Sequence, residues 1–169
     1  MGSEESAWLN VGTLLHGLLF AYQKATKDLL GSGCEVFVQP TLDILARIHD
    51  KDDLKLFRCK TLEEAVASFS KMLTNAKVVR GITFEKTGPE KYLLRIGGCA
   101  WAKHIHKELE PKDVTCPLAL IVMAIYRKYS GQKVEETESK YLEEGTETEI
   151  RSFNPALVWR SAEQTVENT

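Results

Sequence analysis

The sequence predicts an α+β domain: helices packed on one antiparallel sheet built from two β-hairpins, with a long N-terminal helix at a dimer interface. Three observations predict it. Two pairs of alternating segments, Val78 to Lys86 with Lys91 to Gly97 and Lys133 to Tyr141 with Thr146 to Phe153, are each joined by a short turn. An apolar run of helical length follows Cys116-Pro117. The stretch from about Ser6 to Leu30 reads as one helix whose first half is apolar nearly all the way round.

The elements follow in order. The first helix runs from about Ser6 to Leu30, and Gly31 supplies its stop. Trp8, Leu9, Val11, Leu14, Leu15, Leu18, Leu19 and Phe20 nearly surround its first half, so most of its faces should be buried, some against a second chain. His16, inside this run, reads as a core or interface histidine with a satisfied ring nitrogen. Glu35 to Gln39 alternates briefly and precedes Pro40, which favours an extended segment. Pro40 then suits the first turn of a second helix, Thr41 to Ile48, followed by a solvated turn at Lys51-Asp52-Asp53. Thr61-Leu62-Glu63-Glu64 is a capping box: the Thr61 hydroxyl accepts from a free helix N–H and the Glu64 carboxylate reaches back. Behind it Leu62, Ala65, Val66, Phe69, Leu73 and Ala76 form a one-sided stripe. The first hairpin turns at Thr87-Gly88-Pro89-Glu90, and Gly97-Gly98 leads into Cys99. Ala100 to Leu109 reads as helix ended by Glu110-Pro111. The helix after Cys116 ends near Ser130-Gly131 and is apolar on most of its surface, which makes it the central buried helix. The second hairpin turns at Glu143-Glu144-Gly145 and carries seven glutamates, which suit a solvated strand edge. Asn154-Pro155 offers a start for a short helix bearing Leu157, Val158 and Trp159.

Length and composition set bounds on function. The 169 residues fit a single domain, 1–169, with a core over about 6–160 and a tail, 161–169, that has no reason to be ordered. The chain is 43% hydrophobic and carries a net charge of −2, which gives no electrostatic footprint for nucleic acid. The longest apolar stretch, Trp8 to Tyr22, is interrupted by Asn10, Gly12, His16 and Gly17 and is a poor membrane span. Cys34, Cys59, Cys99 and Cys116 are irregularly spaced and the N-terminus lacks a basic signal region, which predicts a cytoplasmic protein with reduced thiols.

Chemistry concentrates between Cys99 and Cys116. Pro117 fits a first helical position, so Cys116 falls at the N-cap, where free N–H groups favour a thiolate that binds metal or attacks a substrate. The alternative is a small buried residue ahead of a helix. A metal cluster of Cys99, His104 and Cys116 is the strongest set the spacing allows, because His104 and His106 point to opposite sides of one helix. Zinc is the metal these ligands suit, and it lacks a fourth ligand here. No phosphate-binding glycine loop, dinucleotide fingerprint or ordered Ser-His-Asp set stands out.

The order of elements from Asn10 to Phe153 resembles the 4-vinyl reductase (4VR) domain, in the fold shared by haem-nitric-oxide sensor domains and the small subunits of the transport protein particle. The residues carrying this are the first helix ending in Leu29-Leu30-Gly31, the strand Leu93 to Ile96 running into Gly98-Cys99-Ala100-Trp101, Cys116-Pro117 opening a buried helix, Gly131 to Val134, and Gly145 to Ile150. The resemblance implies a dimeric α+β domain that binds small, often hydrophobic molecules. Several members hold a structural zinc with cysteines; Cys99 matches one of them, whereas Thr148 and Tyr141 stand where the hairpin cysteines are expected.

The sequence therefore points first to a ligand-binding or sensor module without its own catalysis. Its pocket would lie between the first helix and the helix after Cys116, with Phe69, Trp101, Cys116 and Tyr126 as walls. The alternatives are an enzyme using Cys116, or a metal held by Cys99 and Cys116, and a dimeric scaffold subunit with no ligand.

Overall fold

The computed structural model describes residues 3–31, 35–49, 57–109 and 114–154. The elements are α1 (Ser3–Leu30), α2 (Glu35–His49), α3 (Leu62–Asn75), β1 (Gly81–Lys86), β2 (Lys91–Gly97), α4 (Ala102–Ile105) running into a 3₁₀ turn (His106–Glu108), α5 (Pro117–Ser130), β3 (Lys133–Leu142) and β4 (Gly145–Phe153). The architecture is α+β, as the paired alternating segments predict. The four strands form one antiparallel sheet in the order β1-β2-β4-β3, so the two hairpins join through β2 and β4.

Residue alternation decides which face of the sheet is covered. On β2 Leu94 and Ile96 are buried while Arg95 is exposed. On the outer face Arg95 pairs with Glu85 at 3.1 Å and Glu147 at 2.9 Å. On β4 the inward residues are Thr146, Thr148, Ile150 and Ser152, all buried. Three of these four are hydroxylic, and Thr148 satisfies part of that need with Ser139 at 3.1 Å across the strand pair. Gly145 is required where β4 starts, since a Cβ there would overlap the Ile96 carbonyl oxygen. β3 is an edge strand carrying the half-buried Glu135, Glu136 and Glu138, with a bulge between Glu136 and Glu138.

α5 is the central buried helix. From Pro117 to Tyr126 every residue but Ile121 is buried, and Gly131 ends the helix at φ 69°. α2 and α3 pack on α5, and α3 also covers β1. The Thr61 cap forms, with Glu64 N–H donating to Thr61 Oγ1 at 3.2 Å. The Glu64 carboxylate reaches one residue further back than the standard box and accepts from the Lys60 N–H at 2.9 Å.

Several local readings differ from the sequence expectation. Residues 35–39 are helical rather than extended, and Pro40 lies inside α2. Pro40 is exposed, while Val38 on the same helix is fully buried. Packing of the Val38 face thus outweighs the one backbone hydrogen bond that proline removes. The expected helix over 100–109 is a single α-turn followed by a 3₁₀ turn. α1 is not buried on most faces: His16, Phe20 and Gln23 point inward, whereas Leu14, Leu15, Leu18 and Leu19 are about half to three-quarters exposed. The turn at 51–53, Cys34, the stop at 110–111 and the helix beginning at 155 lie outside the described residues. No helix among the described residues is long and apolar enough to cross a membrane.

Candidate functional site

A cavity of about 250 Å³ lies between α1, α2 and α5. Leu19 and Tyr22 line it from α1, Phe37, Ile44 and Leu45 from α2, and Pro117, Leu120 and Ile121 from α5. Gln23 and Thr41 are the polar side chains in its wall beside the Tyr22 phenol. The Gln23 amide is already committed. Its Nε2 donates to the Thr115 carbonyl at 2.8 Å and its Oε1 accepts from the Thr115 N–H at 3.0 Å. Both residues are buried, so this two-point clamp ties α1 to the segment that opens α5. The Tyr141 hydroxyl donates to the Val114 carbonyl and holds the same segment from β3. The start of α5 is thereby fixed from both sides, and the cavity it helps to wall presents an almost wholly apolar lining.

A second, larger groove of about 460 Å³ lies between α3 and the first hairpin, with Glu63 and Lys86 in its wall beside Leu62, Val66, Ile82, Phe84 and Tyr92. Tyr126 stands behind it, 5.9 Å from Phe84 and 4.9 Å from Tyr92 between ring centroids. Its hydroxyl donates to Gln132 Oε1 at 2.8 Å. Phe69 is buried in the core on α3. Trp101 is half-buried ahead of α4 and lies against Gly12 of α1, where any Cβ would overlap the indole edge. Cys116 sits immediately before Pro117, one residue from the apolar cavity. Phe69, Trp101, Cys116 and Tyr126, which the sequence names as pocket walls, are not among the residues that line this cavity. The signal for the lining residues was present within single helices: Thr41, Ile44 and Leu45 share one helical face, and Gln23 is the polar break in the inward stripe of α1.

The Cys99 and Cys116 thiols are buried. Cys116 is 1% exposed, and burial pushes its thiol up to about 12, outweighing the Ala119 and Leu118 N–H groups that face the sulfur. The N-cap position therefore does not yield a thiolate near neutral pH. Thr146 Oγ1, buried and without a conventional hydrogen-bond partner among the described residues, faces this sulfur. Burial likewise raises Cys99. The two cysteines are close enough for the charge of one to raise the other, whereas His104 is exposed. Among the described residues no group of three or more His, Cys, Asp or Glu side chains is arranged to hold a metal ion. Thr148, at a cysteine position of the resembling family, is engaged with Ser139. The described residues do not fit a zinc centre.

A cluster of rings fills the space beneath α1. His16 lies 5.4 Å from Trp101, 4.8 Å from Phe20 and 6.4 Å from His106, centroid to centroid. His106 is 5% exposed and its Nδ1 donates to the Leu142 carbonyl at 3.0 Å, which leaves Nε2 as a bare acceptor. His16 is 2% exposed. The Nε2 atoms of both histidines and the Trp101 Nε1–H are buried without a hydrogen-bond partner among the described residues. Burial, and secondarily the His106 charge, pushes His16 down to about 4. Burial also lowers His106. Both imidazoles are neutral at pH 7, and the expectation of a satisfied His16 nitrogen does not hold for Nε2.

No protein-family model matches this chain, and no curated protein sequence matches it. Among solved structures it is similar to a chain described under "Probing the function of heme distortion in the H-NOX family", at 8% identity and a TM-score of 0.41. The match covers 76% of this chain and 66%, just under two thirds, of that chain.

Proposed function

We propose that this chain is a small-molecule binding or sensor module of the 4VR type, and that its site is the apolar cavity between α1, α2 and α5. The observation that carries this reading is the cavity's lining. Apolar side chains from three helices surround about 250 Å³, and the amide of Gln23 is consumed by Thr115. An entering molecule finds little to hydrogen-bond, so the site selects a neutral hydrophobic compound and rejects ions, which would lose hydration without compensation. The succession of long helix, hairpin, Cys-Pro helix and second hairpin supports the 4VR reading. Cys59, Cys99 and Cys116 are in no disulfide among the described residues, which suits a reducing, cytoplasmic setting.

The experiment is a fluorescence titration with 1-aminoanthracene, a neutral apolar probe. Wild-type protein should bind one probe per chain with a blue-shifted emission. Ile121→Trp, which fills the cavity from α5, should weaken binding about tenfold or more while circular dichroism stays unchanged. Equal binding by the two proteins would remove the cavity from consideration.

A further inference from the structure

We infer that the groove between α3 and the outer edge of β1 is a docking site for an extended peptide, which adds to the sheet as a further strand. The peptide carries one carboxylate facing Lys86 and an aliphatic or aromatic side chain facing Phe84. This is a second site with a different class of ligand from the cavity between α1, α2 and α5.

The hydrogen-bond phase of the first hairpin opens the edge of β1. The Thr87 N–H donates to the Lys91 carbonyl at 2.9 Å, so these two residues form a hydrogen-bonded pair. Such pairs alternate along an antiparallel ladder. The register Phe84↔Leu94 and Lys86↔Tyr92 therefore turns the main-chain N–H and C=O of Phe84 and Lys86 away from β2. Ile82 has the same phase, and its N–H does point outward, donating to Ser70 Oγ of α3 at 3.1 Å. Phe84 and Lys86 find no such partner among the described residues. Ser70 thus ends the open edge at Ile82 and leaves four main-chain groups of Phe84 and Lys86 free to pair.

The two edges of the sheet are built differently. β3 is interrupted by its bulge, which works against pairing with another strand. β1 pairs with β2 without a break from Gly81 to Lys86 and contains no proline. Beside this regular edge lies the groove of about 460 Å³, where Val66 and Ala67 of α3 stand across from Phe84 and Tyr92. The two rings stack at 5.1 Å and 7° and are half-buried, so they form an aromatic floor with apolar surface left to cover. In an added strand, a side chain directly opposite Phe84 points to the same face and lands on this floor. The side chain opposite Lys86, two positions away, meets an exposed ammonium. Glu85 does not neutralise that charge, because it is committed to Arg95 on the other face. A carboxylate complements Lys86, while Glu63 in the helix wall disfavours a run of acids. Main-chain hydrogen bonds supply affinity and the two alternate side chains supply selectivity, which is how strand addition recognises a peptide.

The test uses a fluorescein-labelled peptide, Ser-Glu-Thr-Val-Thr, whose glutamate opposes Lys86 when its valine opposes Phe84 in an antiparallel strand. Fluorescence anisotropy measures binding, and amide exchange by NMR reports on Phe84 and Lys86. The peptide should bind the full chain and slow exchange at both amides. N-methylation of the valine removes the donor to the Phe84 carbonyl and should weaken binding about tenfold or more. N-methylation of the threonine before it, whose N–H faces away from β1, should leave binding unchanged. Lys86→Glu, at an exposed position that the fold tolerates, should weaken binding about fivefold, and a peptide with lysine in place of glutamate should restore it. Absence of binding at millimolar peptide overturns the proposal. An N-methyl-valine peptide that binds as tightly as its parent also overturns it, since the groove then takes side chains without strand pairing. Phe84 and Lys86 amides that are protected in the concentrated free protein and exchange freely on dilution overturn it in favour of edge pairing between two copies.

Discussion

His16 and Cys116 show what burial does to groups that would titrate or react in water. The His16 imidazole in the folded chain holds its proton only below about pH 4, against 6.5 when exposed. The unfolded chain therefore binds a proton that the folded chain refuses, and stability is complete above pH 6.5 and falls as pH drops toward 4. The shift corresponds to roughly 3 kcal/mol, with His106 acting in the same direction. Urea unfolding at pH 7 and pH 4.5 should show a larger loss for wild type than for His16→Phe, since other carboxylates contribute equally to both. Equal losses would mean that His16 is hydrated in the folded state. Cys116, with its thiol raised to about 12, should resist a thiol reagent at pH 7.5 until the protein is unfolded, whereas the partly exposed Cys59 should react in the native state. Rapid native labelling of Cys116 would reopen a nucleophilic role. The placement of Cys116 before Pro117 was legible in the sequence; the thiol's burial was not, because its neighbours Cys99 and Thr146 are distant in sequence and meet at one end of the sheet only through the pairing of β2 with β4.

At the scale of elements, α1 is where sequence reasoning succeeded in outline and failed in detail. Its length and its stop at Gly31 follow from the residues. Which face turns inward does not, because almost every face offers leucine, and the polar residues decide it. Gln23 turns inward to clamp Thr115, and Gly12 turns inward to admit Trp101. Gly12→Ala should therefore destabilise the protein, although alanine in a helix interior is ordinarily worth about 1 kcal/mol over glycine. The added methyl displaces the indole from α1, and a lowered thermal midpoint with reduced Trp fluorescence anisotropy would record it; a raised midpoint would show that the ring yields freely. Gln23→Ala should cost about 2–4 kcal/mol, because it strands the buried Thr115 N–H and carbonyl together. Denaturant midpoints measure this, and a loss under about 1 kcal/mol would mean that water replaces the amide. α2 carries the complementary lesson. Pro40 argued for a break, and the burial of Val38 against α5 overrode it, which no local rule anticipates.

For the whole molecule, two hairpins joined at β2 and β4 make a floor, α5 lies buried upon it, and α1 and α2 lean against α5 with an apolar gap between them. The α+β class and the central place of α5 were legible because alternation and all-round apolarity are local patterns. The walls of the cavity were not legible, since they come from three helices whose relative rotation the sequence does not encode residue by residue. In the proposed function this gap, and not the larger groove against α3, receives a hydrophobic molecule. The most direct measurement is methyl-resolved NMR of Ile, Leu and Val side chains during addition of 1-aminoanthracene. Saturable shifts are expected at Leu19, Ile44, Leu45, Leu120 and Ile121 with Leu62, Val66 and Ile82 unmoved. Shifts confined to Leu62, Val66 and Ile82 would place the site under α3 and contradict the proposed function.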